Sequence, residues 1–391
     1  MNKKINIVSF LTMGLIGLFL SGYQNIIGII AAEYSLSDSI TGILIALYFI
    51  GSITAPLVFG AISDRKGNKI VIIVALCIVM TGLLTISLLR GVIFIAVGIF
   101  MIGSGAIVIE GTLSTLLSSV NPKEVIKAIN ISQVFFVLGA TIGPLFTMFI
   151  INRFGNWKYV FMLFIGLYFL ITIAFTSFSF GGTVEAEVER ENKGLSYKLL
   201  RNRNLLILSI SMLVYVGIEG GLAFWMTTFF NIAYKSQVWG TYALSGYWMG
   251  MMIGRAIGAS VPNRKVSTFL RAGLFLTLVS VTSALVINNA IFGFVCFIIA
   301  GFGFATAWPV MVSITTEEFQ ENKGTAMGIL MTSGAVGGSF VPFLIGTVGD
   351  YISIKGAFWI YPALILFIII ALQKLLSKGL VKTNISSVLE E

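Results

Sequence analysis

Long apolar stretches alternate with short polar segments along almost the whole chain. Each stretch has roughly 20 or more residues, which is the length that an α-helix needs to cross a bilayer. The first follows Lys3 and Lys4, but it is too long for a signal peptide and lacks a small-residue cleavage site, so we interpret it as a span. The pattern predicts twelve transmembrane helices, numbered here as spans 1 to 12, at residues 7–30, 39–61, 70–89, 92–117, 125–151, 158–180, 204–233, 239–261, 268–287, 290–313, 324–348 and 354–376.

The longest polar segment between spans separates span 6 from span 7. It is rich in Glu, Lys and Arg and is too short to fold as a domain, so we interpret it as a linker. The predicted organisation is an N-terminal six-helix bundle at 1–180, a linker at 181–203, and a C-terminal six-helix bundle with a short tail at 204–391. The predicted fold class is an all-α polytopic membrane protein, because backbone polar groups in a bilayer must be satisfied internally.

The two halves share short motifs at nearly the same offset along the chain. The matching segments are Tyr48-Phe49-Ile50-Gly51 with Tyr247-Trp248-Met249-Gly250, Gly103-x-Gly105 with Gly301-x-Gly303, and Gly139-Ala140 with Gly334-Ala335. Each pair falls in equivalent spans, which predicts two pseudo-symmetric bundles. Membrane proteins built from two such parallel repeats hold a solute between them near the midplane, and rocking of the halves gives alternating access.

Composition agrees with this organisation. The chain is 57% hydrophobic and only 10% charged, which is too little charge to cover a soluble fold. A soluble enzyme and a nucleic-acid-binding protein are therefore excluded, despite the formal net charge of +9. Most of the 25 Lys and Arg residues fall in loops on one side of the predicted topology. Because positive loops stay in the cytoplasm, both termini and the linker are predicted to be cytoplasmic, where basic residues also attract anionic lipid.

The chain contains no histidine, so catalysis, metal binding or proton relay through imidazole is excluded. Its two cysteines, Cys77 and Cys296, lie inside apolar spans, which predicts neither a disulfide framework nor a thiolate metal site. We therefore expect no enzymatic activity, no metal and no cofactor.

Three charged residues, Glu110, Glu219 and Arg255, lie well inside predicted spans. A charge at the centre of a bilayer costs roughly 2.5–3.5 kcal/mol even on lenient scales, so such groups are functional candidates. A carboxyl group removed from water favours its neutral, protonated form, which makes Glu110 and Glu219 candidate proton-coupling residues. Either could instead be a protonated or ion-paired helix contact. Arg255 could snorkel to the interface, pair with an acid, or bind an anionic group of a substrate.

The loop between spans 2 and 3 reads Gly60-Ala-Ile-Ser-Asp64-Arg65-Lys66-Gly67-Asn68-Lys69. It resembles the signature loop of the major facilitator superfamily, G-x-x-x-D-R-x-G-R-R, with Asn68 in place of the first closing basic residue. The segment from Gly139 to Pro144 resembles the glycine–proline motif of helix 5 in that family, and Asn156 to Phe161 resembles the G-W-R-x-x-F stretch that opens helix 6. The resemblance covers the whole chain and implies a twelve-helix transporter.

The loop motif also has a physical interpretation as a cytoplasmic gate. Gly60 and Gly67 permit a tight turn and close backbone approach. Asp64 can accept hydrogen bonds at a neighbouring helix N-terminus or pair with a base, and Arg65 and Lys69 can hold a carboxylate or a lipid phosphate. The alternative is a solvated loop that only follows the positive-inside rule.

Several segments further resemble the fucose–proton symporter group. They are Gly103-x-Gly105 followed by Glu110, Asn130 to Ala140, Tyr215 to Trp225, and Tyr247 to Arg255. Members of that group can carry an acid in helix 1, whereas the corresponding stretch here is Tyr23-Gln24-Asn25. The second-ranked family is the multidrug–proton antiporters, which share the helix 5 motif. Their helix 4 motif has an arginine shortly before the Gly-x-Gly pair, where this chain has Ile99.

Polar and aromatic residues of the spans complete the candidate substrate site. Amide side chains of spans 1 and 5, which line the cavity in this superfamily, can hydrogen-bond hydroxyl groups, and tryptophans can stack on a sugar face. The candidates are Gln24, Asn25, Asn130, Gln133, Trp225, Trp248, Arg255 and Trp308. Tryptophans in membrane helices also serve as packing residues or interface anchors.

These observations predict a secondary active transporter that moves a small polar organic solute, such as a sugar, by proton-coupled alternating access. Import is the favoured direction, and the alternative function is a multidrug–proton antiporter that exports amphiphilic compounds. The expected partners are the solute, protons and membrane lipids, with no nucleic acid. We expect a monomer in a bacterial plasma membrane.

Overall fold

The computed structural model describes residues 2–66, 68–121, 124–177, 199 and 201–376, without the side chains of 2, 54, 56–66, 126, 263, 264, 321, 323, 324 and 374–376. The helices are α1 (Asn2–Glu33), α2 (Asp38–Lys66), α3 (Asn68–Leu88), α4 (Val92–Val120), α5 (Val125–Phe154), α6 (Lys158–Ser177), α7 (Arg203–Tyr234), α8 (Gln237–Ala259), α9 (Asn263–Val286), α10 (Ala290–Phe304), α11 (Ala307–Glu318), α12 (Lys323–Ala357) and α13 (Ile360–Leu376). Most of the predicted linker, residues 181–198 and 200, and the tail at 377–391 lie outside the described residues, so the domain boundaries stay predictions.

The fold is all-α, and each of the twelve predicted spans corresponds to helix within the described ranges, which contain no strand. Nine helical segments there are long and apolar enough to cross a bilayer, and α2 and α13 add shorter apolar segments. Large apolar side chains face outward, including Phe149, Phe169 and Phe275, each more than half exposed. Such a surface suits contact with lipid chains.

The backbone leaves regular helical geometry at two places, one inside predicted span 10 and one between predicted spans 11 and 12. Span 10 consists of α10 and α11, separated at Ala305 and Thr306, and Pro309 lies in the first turn of α11, where a missing N–H is tolerated. The second place is Ser353, which has a non-helical φ of 70° and ψ of 156°, so α12 joins two helical segments there, at the boundary between the predicted spans 11 and 12.

The repeated glycine motifs mark equivalent helix contacts in the two halves. A Cβ added to Gly103 in α4 would overlap the carbonyl oxygen of Tyr48 in α2, and one added to Gly301 in α10 would overlap that of Tyr247 in α8. Glycine is therefore needed at both positions for the backbones to approach. The predicted repeat thus corresponds to the same helix pair, packed in the same way, in both halves.

We call α1–α6 the N-terminal bundle and α7–α13 the C-terminal bundle. Their main contacts pair α2 with α12, α5 with α8 and α1 with α7. We call the end of the molecule where α1 begins the inner end and the opposite end the outer end, following the orientation predicted from loop charge. Consecutive spans run alternately between these ends.

Candidate functional site

The acid of the N-terminal bundle, Glu110, is a half-buried residue in the inner half of α4. The amide of Gln133 in α5 donates a hydrogen bond to Glu110 Oε1 over 3.4 Å. The described partner of this carboxyl group is therefore neutral. Asn130, one turn before Gln133, is exposed.

The acid of the C-terminal bundle has a different environment. Glu219 Oε1 in α7 lies 3.4 Å from a guanidinium nitrogen of Arg255 in α8, and it accepts a hydrogen bond of 2.8 Å from the hydroxyl of Tyr215. The Arg255 and Glu219 side chains are 26% and 16% exposed. Of the alternatives that the sequence left open for Arg255, this geometry is that of pairing with an acid.

The two acidic sites are electrostatically connected across the bundle interface. Arg255 is also close enough to Glu110 for an attraction between the two groups. Its Nε atom is buried and has no hydrogen-bond partner among the described residues. We call these three intramembrane charges the charge cluster; its described ion pair is that of Arg255 with Glu219.

The amides of span 1 join the two bundles nearer the outer end. The indole N–H of Trp248 in α8 donates to Gln24 Oε1 at 3.1 Å, and the hydroxyl of Thr241 donates to Asn25 Oδ1 at 2.8 Å. Asn25 Nδ2 in turn donates to Thr147 Oγ1 of α5 at 3.1 Å. In this conformation both amides serve as bonds between helices.

The other two tryptophans are placed differently. Trp225 is 1% exposed and donates its indole N–H to the carbonyl oxygen of Pro342 at 3.0 Å, within the C-terminal bundle. Trp308 is half-buried in the first turn of α11, just after the break in span 10. The structure thus gives Trp225 a helix-packing contact and leaves Trp308 beside an irregular stretch of backbone.

The outer halves of the bundles are in close contact. The rings of Tyr23 and Phe224 pack edge to face at 5.4 Å, and Phe136 packs against Trp248 at 6.4 Å. Outside these contacts lies an open cavity of about 300 Å³ between α1, α5 and α8. Its lining is uncharged: Asn25, Ile29, Met148, Ile151, Asn152, Gln237, Val238 and Thr241. The contacts between the two bundles, rather than this cavity, therefore define the outer end as closed in this structure.

The predicted cytoplasmic gate lies largely outside the part of the chain that the structure describes. Gly67 and the side chains of Asp64 and Arg65 are not among the described parts of the chain, and nor are the surroundings of Gly60. Lys69 is described, and its Nζ donates to the carbonyl oxygen of Thr176 at the end of α6, 3.1 Å away. The gate stays a prediction.

Three polar contacts of this region, made by Tyr215, Thr241 and Ser245, were not predicted from the sequence. Tyr215 is four residues before Glu219 on the same helix, and side chains at that spacing meet on one helix face, so the spacing was a usable signal. Thr241 and Ser245 have the same spacing in α8, and Ser245 donates across the interface to the carbonyl oxygen of Thr141. Their partners in the other bundle could not be read from local sequence.

The fold is that of a polytopic helical membrane protein. The sequence model of the Major Facilitator Superfamily matches residues 7–271 and 263–384, which together are nearly the full length of this chain. The chain belongs to this superfamily. It is thus a multi-pass membrane protein of a family of small-molecule transporters, not enzymes.

Individual relatives agree with this assignment. YfiU of Bacillus subtilis (strain 168), an MFS-type transporter, is 25% identical over 84% of this chain and 77% of its own length. The glucose/mannose transporter GlcP of the same organism is 22% identical over 78% of each chain. The crystal structure of a D-xylose-proton symporter, 14% identical, superposes with a TM-score of 0.72 over 94% of this chain and 96% of that one, a likeness that establishes the fold alone.

Proposed function

We propose that this protein couples the uptake of a small uncharged polar solute, such as a sugar, to proton movement across a bacterial plasma membrane. The observation that carries this proposal is the difference between the two intramembrane acids. Glu219 faces Arg255, whereas the described hydrogen-bond partner of Glu110 is the neutral amide of Gln133. Glu110 is therefore the acid that a proton, rather than a cation of the protein, would neutralise.

The charge balance of the cluster supports this assignment. With Glu110 ionised, two carboxylates face one guanidinium and the cluster carries a net negative charge. A proton on Glu110 leaves only the Glu219–Arg255 pair and no net charge. A buried site of zero net charge is less costly to close away from water than one with an unpaired carboxylate. Protonation of Glu110 would accordingly favour closure around an uncharged solute.

The chemistry of the candidate lining favours a hydroxylated solute. Gln133 and Asn130 offer hydrogen-bond donors and acceptors in the inner half of α5. The amide oxygens of Gln24 and Asn25 would become free for a solute when their hydrogen bonds to α8 break. GlcP is a glucose/mannose transporter and the structural relative is a D-xylose-proton symporter, which lends support to a sugar. Ile99, at the position where multidrug–proton antiporters carry an arginine, is buried among apolar residues.

The proposed orientation has both termini in the cytoplasm, and the proposed active unit is a monomer that also contacts lipid. The function is tested by reconstituting the purified chain in liposomes and measuring uptake of a panel of sugars, other polar solutes and lipophilic cations under an imposed pH gradient. Saturable uptake of a sugar that collapses with the gradient is expected. Proton-driven movement of lipophilic cations without sugar uptake would replace this proposal with drug export.

A further inference from the structure

An acid of the C-terminal bundle binds the start of a helix in the N-terminal bundle. Asp350, in the last turns of α12 before the bend at Ser353, accepts hydrogen bonds from the backbone N–H groups of Asp38 at 2.7 Å and Ser39 at 3.1 Å. Its carboxylate also accepts from the Ser39 hydroxyl. These residues form the first turn of α2, so three hydrogen bonds join α12 to α2 at the outer end.

The contact has the chemistry of a helix cap. The first N–H groups of an α-helix have no acceptor within the helix, and a carboxylate at that end is further stabilised by the helix dipole. The chain provides part of the cap locally, because Ser37 Oγ accepts from the N–H of Ile40 at 3.2 Å. Asp350 accepts from the two preceding N–H groups. The cap of α2 is therefore completed by a residue of the other bundle.

The backbones of α12 and α2 are in close contact around this cap, so the cap can form only while the two bundles touch at the outer end. A Cβ added to Gly346 in α12 would overlap the carbonyl oxygen of Asp38, and one added to Gly349 would lie 3.0 Å from Asp38 Oδ2. The two helices belong to different bundles, so separation of the bundles at the outer end would withdraw the carboxylate and leave both N–H groups to water.

We propose that Asp350 is an outer gating residue, which stabilises the outer-closed state by capping α2 from the opposite bundle. It would act at the opposite end of the same helix from Asp64, the residue predicted to gate the inner end. Loss of a capping side chain typically changes a helix equilibrium several-fold to tenfold. Because the cap is exposed to water, we expect removal of Asp350 to raise the ratio of outer-open to outer-closed molecules about fivefold.

The proposal can be tested without knowing the solute or the coupling ion. Spin labels are attached at Leu88→Cys and Val286→Cys, in a Cys77→Ala, Cys296→Ala background. Both positions are highly exposed, at 66% and 67%, and they are the last residues of α3 and α9, at the outer end. Pulsed EPR distances between the labels then report the separation of the two bundles. Asp350→Ala should increase the ratio of the longer-distance to the shorter-distance population about fivefold relative to the parent.

Glu33→Ala is the matched control. Glu33 is also an exposed acid at the outer end, but it accepts from the indole N–H of Trp157, a residue of its own bundle. Its removal should leave the distance distribution unchanged. Ser39→Ala removes one of the three bonds to Asp350, so it should shift the populations in the same direction by a smaller factor and add little in combination with Asp350→Ala.

Equal distance distributions in the parent and Asp350→Ala, or an equal shift in Glu33→Ala, would overturn the assignment. If Asp350→Ala does not fold, Ser39→Ala decides the matter alone, and an unshifted distribution in that variant would overturn it.

Discussion

Replacing Glu110 with Gln is expected to separate exchange of the solute from its accumulation. Gln has nearly the shape of Glu but cannot ionise, so it imitates a permanently protonated side chain. The introduced amide oxygen can still accept from Gln133, which lies 3.4 Å from Glu110 Oε1. In a symporter the protonated carrier binds solute and the deprotonated empty carrier returns. The substitution should therefore preserve exchange and abolish proton-driven accumulation.

The size of the loss follows from the charge cluster. Glu219 has Arg255 as a counter-ion at 3.4 Å, whereas Glu110 has a neutral described partner, so we expect one proton for each solute. One pH unit is then worth 1.36 kcal/mol, which is about tenfold accumulation at equilibrium. A gradient of two pH units should give about 100-fold accumulation in the parent and none beyond equilibration in Glu110→Gln.

The assay uses proteoliposomes and a labelled solute identified in the panel. Accumulation is measured with an imposed pH gradient, and counterflow is measured without one. Counterflow of Glu110→Gln should stay within a few-fold of the parent. Glu124→Gln is the matched control, because Glu124 is an exposed acid of the same bundle, paired with Lys127 at 2.8 Å, and its loss should change neither quantity.

Glu219→Gln should behave differently from Glu110→Gln. It would leave the half-buried Arg255 without its acid, and an uncompensated charge in such a site is strongly destabilising. We expect both accumulation and counterflow to fall. Retained accumulation in Glu110→Gln would refute the assignment of that residue. Selective uncoupling by Glu219→Gln alone would move the coupling site to α7, and normal coupling in both variants would point to another ion or to uniport.

Three further predictions concern the cation, the helix contacts and the inner gate. Arg255→Ala should reduce the transport rate strongly. Lys127→Ala should not, because an exposed ion pair contributes only about 0–1 kcal/mol. Equal transport rates in the two variants would indicate that Arg255 only snorkels to the interface. Gly103→Ala should lower the unfolding temperature in detergent, since overpacking typically costs about 1–3 kcal/mol. Gly111→Ala should not lower it, because a Cβ added there meets nothing within 4 Å. Asp64→Asn should slow interconversion of the two facing states, measured as transport rate, with solute affinity within a few-fold; an unchanged rate would contradict the gate.

Hydropathy predicted the spans well because an apolar run of about twenty residues has the length of a helix that crosses a bilayer. It missed the interruption at Ala305 and Thr306 because no charged residue or long polar segment marks the break, which depends on local backbone geometry. It located the boundary between spans 11 and 12, because the polar residues around Asp350 precede Ser353, where the backbone leaves helical geometry. The helical segment before Ser353 extends only a few residues beyond the predicted end of span 11.

The candidate site was only partly predictable. Charges inside apolar runs are conspicuous, so Glu110, Glu219 and Arg255 could be found from sequence, and the structure brings them together. Which acid Arg255 faces depends on how α7 and α8 pack, and spacing along the chain did not decide it. The contact of Asp350 with Ser39 joins residues 311 positions apart and has no local signature.

The two bundles are alike in packing but not in charge, and this difference bears on how a proton could control their motion. The contact of Gly103 with Tyr48 is repeated by Gly301 with Tyr247, so equivalent helices pack in the same way in both halves. The charges are not repeated, since Arg255 stands in the C-terminal bundle and has an acid of its own there. The opposite acid, Glu110, is thus the group whose protonation would change the attraction between bundles without breaking an ion pair. A fold of two similar halves can in this way respond to a proton bound by only one of them.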